Sequence, residues 1–222
     1  MIALVRYHTA LLLRSQRWLA PLVLYAGVLV VGIRSGEPLL GSLGLVAAAL
    51  VPVTAWLVRI GVGNEPPEAR GCTAAPHGPP RAHLAALLAA SGAAGAVGLT
   101  AVVVVTAVGG AVNDTGTREL SRPAAGACGL LAALTCVLLG AAVGALTTRP
   151  VLRSRGWGLL AMLLGLGAVL IAAGSPVRTV LTALTEGSRE GTVPLLLAPT
   201  ATAVLVAAGV SALVCALSAR GR

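Results

Sequence analysis

Leu39 to Val58 reads LLGSLGLVAAALVPVTAWLV, twenty residues without one Asp, Glu, Lys, Arg or His. A helix rises 1.5 Å per residue, so a run of this length covers about 30 Å, the thickness of bilayer hydrocarbon. Five more runs share its character: Trp18 to Ile33, Leu84 to Val108, Ala124 to Leu146, Gly156 to Gly174 and Leu195 to Ala219. None carries an ionisable Asp, Glu, Lys, Arg or His. The expectation is an all-α membrane protein, with residues 18–222 forming one domain of six transmembrane helices (18–33, 39–58, 84–108, 124–146, 156–174 and 195–219).

Composition agrees with that expectation. Of 222 residues, 57% are apolar and only 10% charged, where a soluble domain carries about 25% charged residues. The 28 Gly, abundant Ala and absence of Phe make the apolar content small, which suits helices packing closely in lipid. All 16 basic residues are Arg, so no P-loop Lys exists to reach a nucleotide's phosphates, and lysine Schiff-base chemistry is excluded. The net charge of +9 is not interleaved with aromatics as a nucleic-acid surface requires, so no nucleic-acid partner is expected. Cys128, Cys136 and Cys215 fall in apolar runs and no Cys-x-x-Cys or Cys/His ligand spacing occurs, so no metal site is expected. Arg residues precede the first apolar run as in a secretory signal, but without a small-x-small cleavage site it reads as a retained span.

Arg distribution sets the expected orientation, because Arg near span ends is held on the cytoplasmic side. Taking alternate loops together, Arg6, Arg14, Arg17, Arg59, Arg70, Arg81, Arg149, Arg153, Arg155, Arg220 and Arg222 make 11 on one side, against 5 on the other (Arg34, Arg118, Arg122, Arg178 and Arg189). Five of the seven acidic residues lie with the smaller group, so the charge of +9 falls on one side alone. Trp18, Trp56 and Trp157 also sit at span ends on the Arg-rich side, where an indole can bury its ring and keep its N–H wet. Both termini are therefore expected in the cytoplasm, in a multi-pass protein of the cell (plasma) membrane.

Two stretches outside the spans have helical amphipathicity. Residues 1–17 gather Arg6, Arg14 and Arg17 on one side of a helical wheel, which suits an interfacial helix, with a ragged start to the first span as the plain alternative. In the 175–194 loop, Val177, Val180, Leu181 and Leu184 alternate with Arg178, Thr182, Thr185 and Glu186, describing a short amphipathic helix on the outer face. In the fourth span, Ala124, Cys128, Ala132, Cys136, Gly140 and Gly144 recur every four residues. Such a small-residue stripe suits helix packing, within the chain or between two copies.

No nucleophile, base and orienting acid can be assembled, and His8, His77 and His83 fall in segments expected at the inner surface. The chain is not expected to be an enzyme. The spans also lack the carboxylates or His that form ion relays in proton- or sodium-driven transporters. Any transport must draw its energy from elsewhere.

The inner loop, residues 59–83, runs from Arg59 through Glu65, Glu68, Arg70, Gly71 and Thr73 to Pro79, Arg81 and His83. Here the chain resembles the membrane subunit of type-2 ATP-binding-cassette (ABC) exporters, which have six spans, an amphipathic helix before the first, and a coupling loop after the second. That loop has the form acidic-basic-x-Gly-Thr, an apolar turn, then Pro-x-x-Arg. Glu68, Arg70, Gly71 and Thr73 match its first part approximately, and Pro79 with Arg81 its second. The inserted Cys72, the interrupting Pro76 and the short spacing to Arg81 depart from it. The resemblance implies a permease whose partners are an ATP-binding subunit, a second permease copy and the lipid bilayer. It also implies coupling to the ATPase through Glu68, Arg70, Gly71 and Arg81. ATP is then the partner subunit's ligand, and no cofactor is expected on this chain. The rival reading is a non-transporting membrane scaffold or accessory protein.

Overall fold

The computed structural model describes residues 1–34, 36–66, 69, 78–148 and 155–220. Eight helices carry the described chain: α1 (Ile2–Arg14), α2 (Leu19–Gly32), α3 (Leu39–Gly63), α4 (Pro79–Val108), α5 (Arg122–Leu146), α6 (Arg155–Ile171), α7 (Pro176–Glu190) and α8 (Leu197–Arg220). Among the described residues the only extended pairings are the isolated bridges Pro38 to Gly110 and Val112 to Glu119.

The centre of the bundle is α3. Leu39, Leu40, Leu43, Val46, Ala47, Leu50 and Val51 have no solvent exposure, and α4, α5, α7 and α2 pack around them. Large apolar side chains elsewhere point outward: Val30 and Val31 of α2, Leu164 of α6 and Leu205 of α8 are each more than 70% exposed. In water such a surface would associate or aggregate. Against lipid it is the ordinary exterior of a spanning bundle. Four helices (α3, α4, α5 and α8) are each long and apolar enough to cross a bilayer, and the chain is an integral membrane protein.

The two shorter runs behave differently. At 14 residues, α2 rises about 21 Å, and it joins α1 at a bend of 74°, with Gln16 at φ 53° in the turn. Similarly α6, at 17 residues, rises about 25 Å and joins α7 at a bend of 44°. If each bent pair counts as one span, the chain has up to six. The loop expected over 59–83 is shorter than the sequence suggests, because α3 continues to Gly63 and α4 begins at Pro79.

Helix ends follow local chemistry. α4, α5 and α7 all begin with Pro at the first or second position, where its missing N–H costs nothing. α7 ends at Gly191, whose φ of 70° lets the N–H groups of Gly191 and Thr192 both reach Gly187 O.

The bundle has two polar ends. One holds Glu37, the 109–121 connection and the C-terminus of α7. There Asn113 Oδ1 accepts from the N–H groups of Thr117 (2.8 Å) and Arg118 (3.0 Å), Ser188 Oγ bonds to Asp114 Oδ1, and Arg118 donates to Glu190 O at 3.2 Å. The other end holds Arg59, Asn64 and Arg81. Here the Ser15 hydroxyl accepts from Asn64 Nδ2 at 3.1 Å, and Cys215 Sγ of α8 lies 3.6 Å from Pro80 O.

Candidate functional site

The Arg59 end carries the candidate site. α1 packs across α4 and touches α3 there, burying Leu4, His8 and Leu12 at four-residue spacing and leaving Arg6, Arg14 and Arg17 exposed. This one-sided pattern fixes which face of α1 meets the bundle. The Arg59 guanidinium donates to Thr147 O at 3.2 Å, so a cation of α3 closes the C-terminus of α5 where unpaired carbonyls concentrate negative charge. α6 starts directly over this pair, since a Cβ on Gly158 would stand 2.8 Å from Arg59 Nη1. A side chain there would have to displace the guanidinium and press on Thr147 O, 3.0 Å away.

Of the four residues expected to couple to an ATPase, Glu68, Arg70 and Gly71 lie outside the described residues, as does Thr73. Pro79 and Arg81 are described. Gly78, at φ 80°, turns the chain into α4, Pro79 and Pro80 occupy its first turn, and Arg81 is solvent-exposed beside them. The resulting surface comprises α1, the start of α4 and the end of α3, with Arg6 and Arg14 of α1, Arg17 just beyond it, and Arg81 all exposed.

The small-residue stripe of α5 faces α3 within this chain at its glycines. A Cβ on Gly140 would meet Val51 O at 2.6 Å, and one on Gly144 would meet Ala55 O at 2.8 Å. The two backbones touch through these glycines, which is what small residues permit. Ala132 and Cys136 are fully buried, and Cys128 Sγ lies 3.4 Å from Pro194 O. Cys128, Cys136 and Cys215 are all free thiols.

Two features were not read from the sequence. Thr135 and Thr200, both buried, bring their hydroxyls within 3.0 Å and join α5 to α8. Thr135 is the one Thr of its apolar run and Thr200 shares its run with Thr202, and no sequence spacing marks the pair. The other is the seat of α7. Val177, Val180 and Leu184 are fully buried in the main core, so this helix is built into the bundle instead of resting on its surface. Amphipathic periodicity alone does not distinguish those placements.

A shallow groove of about 510 Å³ runs between α4 and α5, lined by Val102, Thr106, Gly126 and Leu130, with Arg122 at its rim donating to Ala107 O at 3.2 Å. Its lining is almost wholly aliphatic and offers no acid–base pair. Among the described residues no three His, Cys, Asp or Glu side chains gather as a metal site. Comparison with protein-family models, with curated proteins and with solved structures gave no match.

Proposed function

We propose that this chain is the membrane-spanning permease of an ABC transporter of the exporter type, driven by a separate ATP-binding subunit that docks at the Arg59 end. One observation carries the reading: α1 bends 74° away from α2 and lies across α3 and α4, beside the Arg81 turn that follows the coupling-like loop. A broad cationic platform next to that loop suits a soluble partner with an acidic or polar docking face. The four unbroken candidate spans and the small-residue seam between α3 and α5 form a rigid bundle through which motion at one end can reach the other. The absence of Lys and of membrane-depth acids in the apolar runs leaves the energy to a partner.

By this reading the permease acts in the cell membrane as a pair, with its Arg59 end in the cytoplasm. Glu68 and Arg81 make polar contacts to the ATPase. An exposed charge contributes only about 0–1 kcal/mol to folding, whereas removing one buried against a partner costs about 2–5 kcal/mol of binding. Glu68→Ala and Arg81→Ala are therefore expected to express normally and to lose ATPase association, or to uncouple hydrolysis from transport. Arg122→Ala, at the opposite end, does neither. The check is co-purification of an ATP-binding subunit with the tagged chain, followed by its ATPase activity in proteoliposomes. ATP hydrolysis by the isolated chain, or normal partner binding and coupling by both variants, defeats the proposal.

A further inference from the structure

The polar side of α7 is the feature that neither the packing of the bundle nor the ATP-driven reading explains. Its buried side, with Val177, Val180 and Leu184, is opposed by Arg178, Thr182, Thr185, Glu186 and Arg189, all exposed and within about 100° of one another on a helical wheel. On an outer surface that pattern needs no explanation. The contacts of α7 place it elsewhere.

Ser188 Oγ stands 3.8 Å from the Cβ position of Gly41, and Leu184 Cβ stands 3.9 Å from that of Gly44. α7 therefore runs antiparallel to α3, with its C-terminus at the Glu37 end and its N-terminus directed toward the middle of α3. Arg178 precedes Leu184 by six residues, about 9 Å along the axis, and Gly44 is itself about 7 Å inside the start of α3 at Leu39. Arg178 thus lies on the order of 15 Å from the Glu37 end, about half the 30 Å hydrocarbon thickness. The short α6 points the same way. It starts over Arg59, rises only about 25 Å, and α7 continues its course after a 44° bend.

An Arg at that depth does not face lipid. Its guanidinium has five N–H donors, and the bond from Nη1 to Ile171 O at 2.6 Å, which closes the C-terminus of α6, uses one. No carboxylate among the described residues pairs with it. Intramembrane ionisable groups face the bundle interior or a water-filled cavity, and Arg178, bonded to one carbonyl but solvent-exposed, is not enclosed by the bundle. We propose that α6 and α7 form one broken span, and that the polar side of α7 lines a water-filled crevice opening at the Glu37 end, with Arg178 near its floor. This inference stands whether or not an ATPase drives the protein.

The test uses the full chain in sealed membrane vesicles, with Cys72 and Cys215 replaced by Ala, so that only the buried Cys128 and Cys136 remain. First, Gly44→Cys/Leu184→Cys should form a disulfide on mild oxidation, because the Cβ separation of 3.9 Å lies within disulfide range. The crosslink shows that α7 is folded against α3 in the membrane. Second, single Cys at Arg178, Thr182 or Thr185 should react with a charged, membrane-impermeant methanethiosulfonate from the Glu37 side, at least tenfold faster than Cys at Leu163 or Leu164 on the exposed side of α6. To cover loss of the α6 contact in the Arg178 variant, Thr182→Cys serves as the primary reporter. Crosslinking with fast labelling supports the crevice. Absence of the crosslink, labelling of Thr182→Cys no faster than the α6 controls, or labelling only from the Arg59 side overturns it.

Discussion

Gly140 shows how much of this fold rests on single atoms. Its missing Cβ would stand 2.6 Å from Val51 O and 3.0 Å from Thr54 Cβ, closer than any side chain tolerates. The obstructing atom is backbone, so relief requires the helices to separate. Added atoms in a tight core cost about 1–3 kcal/mol, and Gly140→Ala is expected to lower stability by that amount in detergent, read by thermal unfolding. Gly92 has nothing within 4 Å of its Cβ position, so Gly92→Ala serves as the contrast. It should leave stability unchanged or raise it by about 0.4–1 kcal/mol, since Ala is the better helix former and nothing obstructs its methyl. If both variants unfold alike, the α3–α5 contact is looser than this geometry. Neither glycine is distinguishable by type in the sequence: the four-residue recurrence from Cys128 to Gly144 marks a packing stripe, but the identity of the helix against it comes only from the fold.

At the scale of elements, spanning helices gain little from hydrophobic burial against one another, because lipid is as apolar as their side chains. Polar contacts between helices therefore matter for which helix sits where. Thr135 and Thr200 are the buried polar link between α5 and α8, and each also lies within bonding distance of a carbonyl four residues back, Leu131 O at 2.8 Å and Leu196 O at 2.7 Å. That local alternative limits what the contact can contribute. A double-mutant cycle with Thr135→Val and Thr200→Val should give a coupling near 0.6 kcal/mol and no more than about 1.7 kcal/mol. A coupling of zero would mean the hydroxyls bond only to their own helices. The long elements were legible because twenty apolar residues without a charge admit few other readings, and α4 starts where Pro79 and Pro80 announce it. The bends were less so. Gln16 takes a positive φ that its residue type does not favour, and the break at 172–175 lies at the end of the run read as a span over 156–174, where the sequence does not show that the next helix continues into the bundle. For the candidate coupling site, Arg81 can be placed on the surface it was expected to share, whereas Glu68, Arg70 and Gly71 lie outside the described residues.

For the whole molecule, the fold separates charges that the sequence only alternates. Ser15 beside Asn64, Cys215 beside Pro80, and Arg59 beside Thr147 gather at one end, while Glu37, Asp114, Arg118 and Glu190 lie at the other. Segregation by itself does not say which end meets the cytoplasm. That step comes from the energetics of insertion, in which Arg-bearing loops resist translocation and 11 Arg are grouped against 5. Cys72 provides the direct test, because it lies in the inner loop by charge and the three other Cys lie in apolar runs. Cys128 and Cys136 are buried, so replacing the partly exposed Cys215 by Ala leaves Cys72 as the reactive thiol. A membrane-impermeant maleimide added to intact cells should leave this variant unlabelled. The same reagent added to inside-out vesicles should label it to completion. Labelling in intact cells would place the Arg59 end outside and reverse the orientation. It would also put the proposed ATPase platform on the side of the membrane without ATP, and so remove the permease reading together with the topology.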